Sequence, residues 1–174
     1  MGQQEKPQPT SRLFLALWPG PAVRHRLHEA RDAWPWPRGA TPVHADKLHL
    51  TLHFLGDVPG ERLPALLDGF AVPFAPFRLA LGQPVSWPHG IAVLEPFDAP
   101  PELLALHARL AQALVDLGLQ PEARAYRPHV TMARRAGSVA VPEPGPAIAW
   151  DVAAYALVES RNGLYTVLRE YPTS

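Results

Sequence analysis

The sequence predicts an α+β fold built largely from antiparallel strands, and three observations carry that expectation. Short apolar runs alternate with period two. Other windows repeat apolar residues at helical spacing. Turn residues close neighbouring strand segments into hairpins.

The elements follow in order. Residues 1–11, opening MGQQEKPQPT, hold no apolar run and read as a disordered tail ahead of one domain over 12–172. Arg12 to Trp18 (RLFLALW) is a buried strand closed by Pro19, Gly20 and Pro21. Pro21 suits a helix's first turn, and the helix runs from about Ala22 to Ala33 with Val23, Leu27 and Ala30 on its apolar stripe. Trp34 to Pro42 is a Pro-rich loop. Lys47 to Leu55 (KLHLTLHFL) alternates strictly: Leu48, Leu50, Leu52 and Phe54 on one face, His49, Thr51 and His53 on the other, with Gly56 and Asp57 as its end. Glu61 to Phe70 is a helix. Phe77 to Val85 and Ile91 to Glu95 are paired strands. Pro101 to Leu117 is a helix striped by Leu103, Leu106, Leu110 and Leu114 and stopped at Gly118. His129 to Arg135 is a strand, Gly137 to Pro146 a loop, and Ile148 to Ser160 and Leu164 to Arg169 close the fold as a hairpin around Asn162 and Gly163.

Composition narrows the function. There are no cysteines, so disulfides, thiolate catalysis and Cys-based zinc sites are excluded. Sixteen basic and 16 acidic residues cancel, which argues against a broad nucleic-acid surface and leaves room for a pocket that takes one RNA end. No apolar run is long enough for a membrane span. With no signal peptide legible, a cytoplasmic location is expected.

One short idea occurs twice. His49-Leu50-Thr51-Leu52 and His129-Val130-Thr131-Met132 both read His, apolar, Thr, apolar, and 129 − 49 = 80 residues separate them, nearly half the chain. On a strand, residues i and i+2 share a face, so each His projects with its Thr while the apolar partners anchor the strand. A single H-x-T on a strand is usually structural. Two copies in matching halves bring two titratable rings and two hydroxyls to one place, which suits acid–base phosphoryl chemistry without metal.

These segments resemble the two signatures of the two-histidine (2H) phosphoesterases. His49 to Gly56 (HLTLHFLG) is similar to H-x-T-L-x-F-L-G, and Arg127 to Arg134 (RPHVTMAR) to R-P-H-hydrophobic-T-hydrophobic-x-R. Arg12 to Leu17 and Leu157 to Ser160 add a softer likeness to the bacterial and archaeal LigT-like branch of RNA 2′,3′-cyclic phosphodiesterases, once named 2′-5′ RNA ligases. The resemblance implies two pseudo-symmetric lobes whose antiparallel sheets line a central cleft, with helices outside. It implies hydrolysis of RNA 2′,3′-cyclic phosphate ends to 2′-phosphates, with His49 as proton donor, His129 as proton acceptor, and Thr51 and Thr131 beside them. It implies that Arg134 binds phosphate. Arg134 lies five residues after His129, so strand parity demands a bulge or strand end to turn it to the same face. A monomer without cofactor, metal or obligatory protein partner is expected.

Other residues are open to two readings. Tyr126 is the best candidate for stacking a base, ahead of Trp87, Phe97 and Trp150, for which core packing is the alternative. Arg124, Arg127, Arg134 and Arg135 form a local basic cluster, either a solvated face or a guide for the RNA end, with Arg127 taken as substrate-binding. His49 and His53 have the i, i+4 spacing of a helical zinc pair, but on a strand they stand too far apart, and no H-E-x-x-H occurs. His25, His28 and His107 read as solvated helix positions. The rival functions are a 2′-5′ ligase running the chemistry in reverse and a non-catalytic module that binds RNA ends or nucleotides.

Overall fold

The computed structural model describes residues 9–173, so most of the expected tail, residues 1–8, lies outside the described residues. The fold starts two residues earlier than expected, at Thr10, and Ser11 is already buried. In chain order the elements are β1 (Thr10–Leu17), α1 (Pro21–Asp32), β2 (Thr41–Pro42), β3 (Leu50–Pro59), α2 (Leu63–Gly69), β4 (Phe77–Trp87), β5 (Ile91–Pro96), α3 (Pro101–Asp116), β6 (Val130–Arg134), β7 (Ile148–Val152), β8 (Ala154–Arg161) and β9 (Leu164–Pro172).

All strands join one antiparallel sheet in the order β7-β4-β5-β6-β3-β1-β8-β9, with the short β2 on β6. Two four-stranded halves, β9-β8-β1-β3 and β6-β5-β4-β7, meet edge to edge at β3 and β6. The helices cover one face. α1 packs against β7 and α3 against β3, while the Leu67 carbonyl of α2 accepts the Tyr171 hydroxyl of β9. A single apolar core runs beneath both halves, including Leu15, Leu50, Leu94, Leu106, Val130 and Trp150. Each such side chain contributes about 1.5–3 kcal/mol of burial. A smaller cluster of Phe14, Ala16, Ala156 and Val158 sits separately, with Trp18, Tyr165 and Val167 against it.

The expected strand from Ile148 to Ser160 is two strands. β7 alternates buried and exposed residues and pairs with β4, whereas β8 is buried on both faces from Tyr155 to Val158 and pairs with β1 in the other half. No proline or glycine marks the break; the change from one covered face to two does. The final hairpin turns at Asn162 and Gly163, both at positive φ (51° and 76°), as a two-residue primed turn requires.

Two bulges decide which side chains reach the open face. β3 pairs Ala16 with Thr51 and Leu15 with His53, which leaves Leu52 unpaired. β6 pairs Val93 with Thr131 and Ala92 with Ala133, which leaves Met132 unpaired. Each strand thus bulges at the residue after its motif threonine, and each bulge costs one step of alternation. Leu52 and His53 are consequently both buried, and Phe54 turns outward at 43% exposure. This corrects the expectation that His53 shares the face of His49 and that Phe54 packs in the core. In β6 the same device buries Met132 and Ala133 and turns Arg134 outward, which is the bulge that its odd spacing demanded. β3 also continues past Gly56, which takes φ 77° at a second irregularity, and ends only at Pro59.

Candidate functional site

The open face of the sheet forms a cleft of about 910 Å³. Where the two halves meet, Leu50 of β3 pairs with Val130 of β6, so the residues after the two motif histidines face each other. That register sets Thr51 opposite His129 and His49 opposite Thr131. Directly opposed residues carry their Cβ atoms about 4.5–5.5 Å apart. Two imidazoles and two hydroxyls therefore share a patch small enough to surround one phosphorus, and all four line the cleft.

Both rings are held alike. His49 Nδ1–H donates to the Lys47 carbonyl at 2.6 Å, and His129 Nδ1–H donates to the Arg127 carbonyl at 2.9 Å. Each histidine thus spends Nδ1 on the carbonyl two residues upstream. This fixes the tautomer and leaves Nε2 for the cleft. His49 Nε2 lies 3.0 Å from Thr51 Oγ1, which donates to the neutral ring and accepts from the charged one.

Their surroundings differ. His49 packs against Phe14, Trp18 and Tyr165 at ring separations of 4.8, 5.8 and 5.7 Å. Burial holds its imidazole down to about 4; the Lys47 carbonyl opposes this, and the cations Arg24, His129 and Arg134 reinforce it. His129 packs on Trp87 at 4.2 Å. Burial lowers its titration too; the Arg127 carbonyl and the Glu95 carboxylate work the other way, and the Arg127 and Arg134 cations add to the lowering. Glu95 also accepts from Trp87 Nε1 at 3.1 Å and pairs with Arg127 at 2.6 Å.

Arg134 is exposed in the cleft, acts electrostatically on both histidines and forms no ion pair among the described residues. Arg127 lines the same cleft with its guanidinium engaged by Glu95 and lying 4.7 Å over the Trp87 ring. Tyr126 also lines it, but its hydroxyl donates to the Thr51 carbonyl at 2.9 Å, and its ring stacks on His107 at 3.8 Å. His107 is not a solvated helix residue. It stacks on His53 at 4.0 Å, and its carbonyl accepts His53 Nε2–H at 2.8 Å. Three members of the basic cluster, Arg124, Arg127 and Arg134, line this one cleft, with Arg124 paired to Glu122 and Arg127 to Glu95. Trp150 is core and Phe97 is exposed at 51%, so neither serves the cleft.

Sequence reasoning missed Phe14, Trp18, Tyr165, Phe54, Arg12 and Glu95. For Phe14 and Trp18 a signal existed. Within RLFLALW the aromatics alternate with Leu13, Leu15 and Leu17, so a strand buried on both faces sends Phe14, Ala16 and Trp18 to the side opposite the core. Among the described residues no three His, Asp or Glu side chains converge as a metal site, and no helix is long and apolar enough to cross a membrane.

Comparison with known proteins gives consistent matches. Residues 19–163 match the model of the 2′-5′ RNA ligase superfamily. The chain is 35% identical to an RNA 2′,3′-cyclic phosphodiesterase of Thermus thermophilus, covering 92% of this chain and 89% of the relative. It is 33% identical to the Escherichia coli protein of that name, covering 85% and 83%. Among solved structures, E. coli LigT complexed with 3′-AMP superposes with a TM-score of 0.85 at 28% identity, covering 95% of this chain and 99% of that one.

Proposed function

We propose that this chain, which belongs to the 2′-5′ RNA ligase superfamily, hydrolyses the 2′,3′-cyclic phosphate at RNA ends to a 2′-phosphate. The observation that supports this reading is the Leu50–Val130 register with both Nδ1 atoms tied down, together with two imidazoles and two threonines lining one cleft. The names of the relatives at 33–35% identity point to the same reaction.

In this reading water attacks the cyclic phosphorus while His129 Nε2 takes its proton. The bond from phosphorus to O3′ breaks as His49 Nε2 donates a proton to the leaving oxygen. The product carries a 2′-phosphate and a free 3′-hydroxyl, and the two histidines have exchanged one proton. The threonine hydroxyls and Arg134 stabilise the charge that builds on the non-bridging oxygens. The surroundings suit these roles. An imidazolium whose titration lies near 4 is a strong acid, and His129, supported by Glu95, is the better base. An anionic phosphate bound between the rings raises the titration of both and so favours the singly protonated pair near neutrality.

The step needs no metal in this reading, since the rings and Arg134 supply the protons and the charge. The enzyme works in this reading as a cytoplasmic monomer without a partner. A 5′-hydroxyl in place of water would turn the same geometry into a 2′-5′ ligase. Incubation with an oligonucleotide ending in a 2′,3′-cyclic phosphate, followed by phosphorus NMR, tests the proposal. A 2′-phosphate is expected; a 3′-phosphate, or no turnover, overturns it.

A further inference from the structure

We propose that Arg12 and Phe54 form a second subsite, which holds the nucleotide on the 5′ side of the cyclised one. The inference rests on the phosphodiesterase reading of the same cleft.

Phe54 departs from the burial pattern of its strand. It is a large apolar side chain, 43% exposed, on a strand whose apolar residues Leu50, Leu52 and Val58 are buried. The bulge at Leu52 puts it there. Position by position it is the counterpart of Arg134: each lies five residues after its motif histidine and reaches the cleft only because of a bulge. The two arms of the site, related about the Leu50–Val130 pair, therefore end differently. One ends on the Arg134 cation, the other on an aromatic ring.

Arg12 completes the second arm. Its guanidinium lies 5.2 Å from the centroid of the Phe54 ring. It is exposed, lines the cleft and forms no ion pair among the described residues. On β1, Arg12 is two residues from Phe14, whose ring touches His49. Two strand residues span about 7 Å, so the platform stands beside the reacting centre and not in contact with it. The cleft, at about 910 Å³, lies near the top of the roughly 300–1,000 Å³ range of single-ligand pockets and has room beyond one nucleotide. A ring and a guanidinium plane together match single-stranded RNA, whose bases stack on both kinds of surface and whose phosphodiester takes the cation.

The test compares the wild type with Phe54→Ala and Arg12→Gln on two substrates, a 2′,3′-cyclic mononucleotide and a dinucleotide ending in the cyclic phosphate. The wild type should favour the dinucleotide. Each variant should lower the dinucleotide-to-mononucleotide ratio of kcat/KM, by roughly tenfold for Phe54→Ala. The same ratio is read without turnover by titration calorimetry, with a dinucleotide 3′-phosphate against a nucleoside 3′-phosphate. A ratio unchanged by both substitutions overturns the subsite. Absence of turnover alongside a variant-sensitive binding ratio overturns the phosphodiesterase reading and keeps the subsite.

Discussion

The titration of His49 should be displaced far enough to be seen in the stability of the whole protein. Its imidazole is held from 6.5 down to about 4, chiefly by burial among Phe14, Trp18 and Tyr165. At about 1.36 kcal/mol per pK unit, this displacement is worth about 3 kcal/mol. The folded value is depressed, so the neutral ring is the one the fold accommodates. Its contribution is complete above the unfolded value near 6.5 and is lost as pH falls through about 4. His49→Asn removes this titration, together with the small reciprocal effect of its charge on His129. For a chain of this size 1 kcal/mol moves Tm by roughly 2–4 °C. The difference in Tm between wild type and variant should therefore shift by roughly 6–12 °C from pH 7 to pH 4, against the wild type. Thermal denaturation followed by circular dichroism gives that difference, and NMR of the His49 ring protons gives the midpoint itself. Inorganic phosphate should raise the midpoint. Parallel stability curves for the two proteins, or a midpoint near 6.5, would mean that burial does not displace the His49 titration.

Three further outcomes are expected. Because kcat/KM follows the singly protonated pair and both rings are lowered, its pH profile should be a bell with both limbs below about 6.5; a plateau running past pH 8 contradicts this. Exhaustive chelation should leave the rate intact, whereas a loss restored by zinc, magnesium or manganese would overturn the metal-free step. Tyr126→Phe deletes the hydrogen bond to the Thr51 carbonyl, which costs about 0.5–1.5 kcal/mol. It should lower kcat more than it changes KM, and an unaltered kcat would show that Thr51 holds its place without Tyr126.

What was legible in the sequence is what a repeated motif and strand parity can carry. His49, Thr51, His129 and Thr131 share a face by period two alone, and the structure brings all four to one cleft. Parity even foretold that Arg134 needed a bulge. It did not foretell that β3 bulges at the equivalent residue, so the expected places of His53 and Phe54 were exchanged. A bulge leaves no composition signature when, as at Leu52 and Met132, the unpaired residue is an ordinary apolar one. The division of Ile148 to Ser160 into β7 and β8 was hidden for a related reason, since the chain changes partners without a breaking residue. Glu95 was beyond reach because it meets Arg127 and Trp87 only through the pairing of β4 with β5 and the return of β6.

Whether His49 and His129 carry the protons is decided by the steady-state rates of the two single-histidine variants on a cyclic-phosphate oligonucleotide. His49→Ala and His129→Ala should each lower kcat by roughly 10²–10⁴-fold while circular dichroism stays that of the wild type. Either variant turning over at a near-normal rate with an intact fold would mean that other groups move the protons.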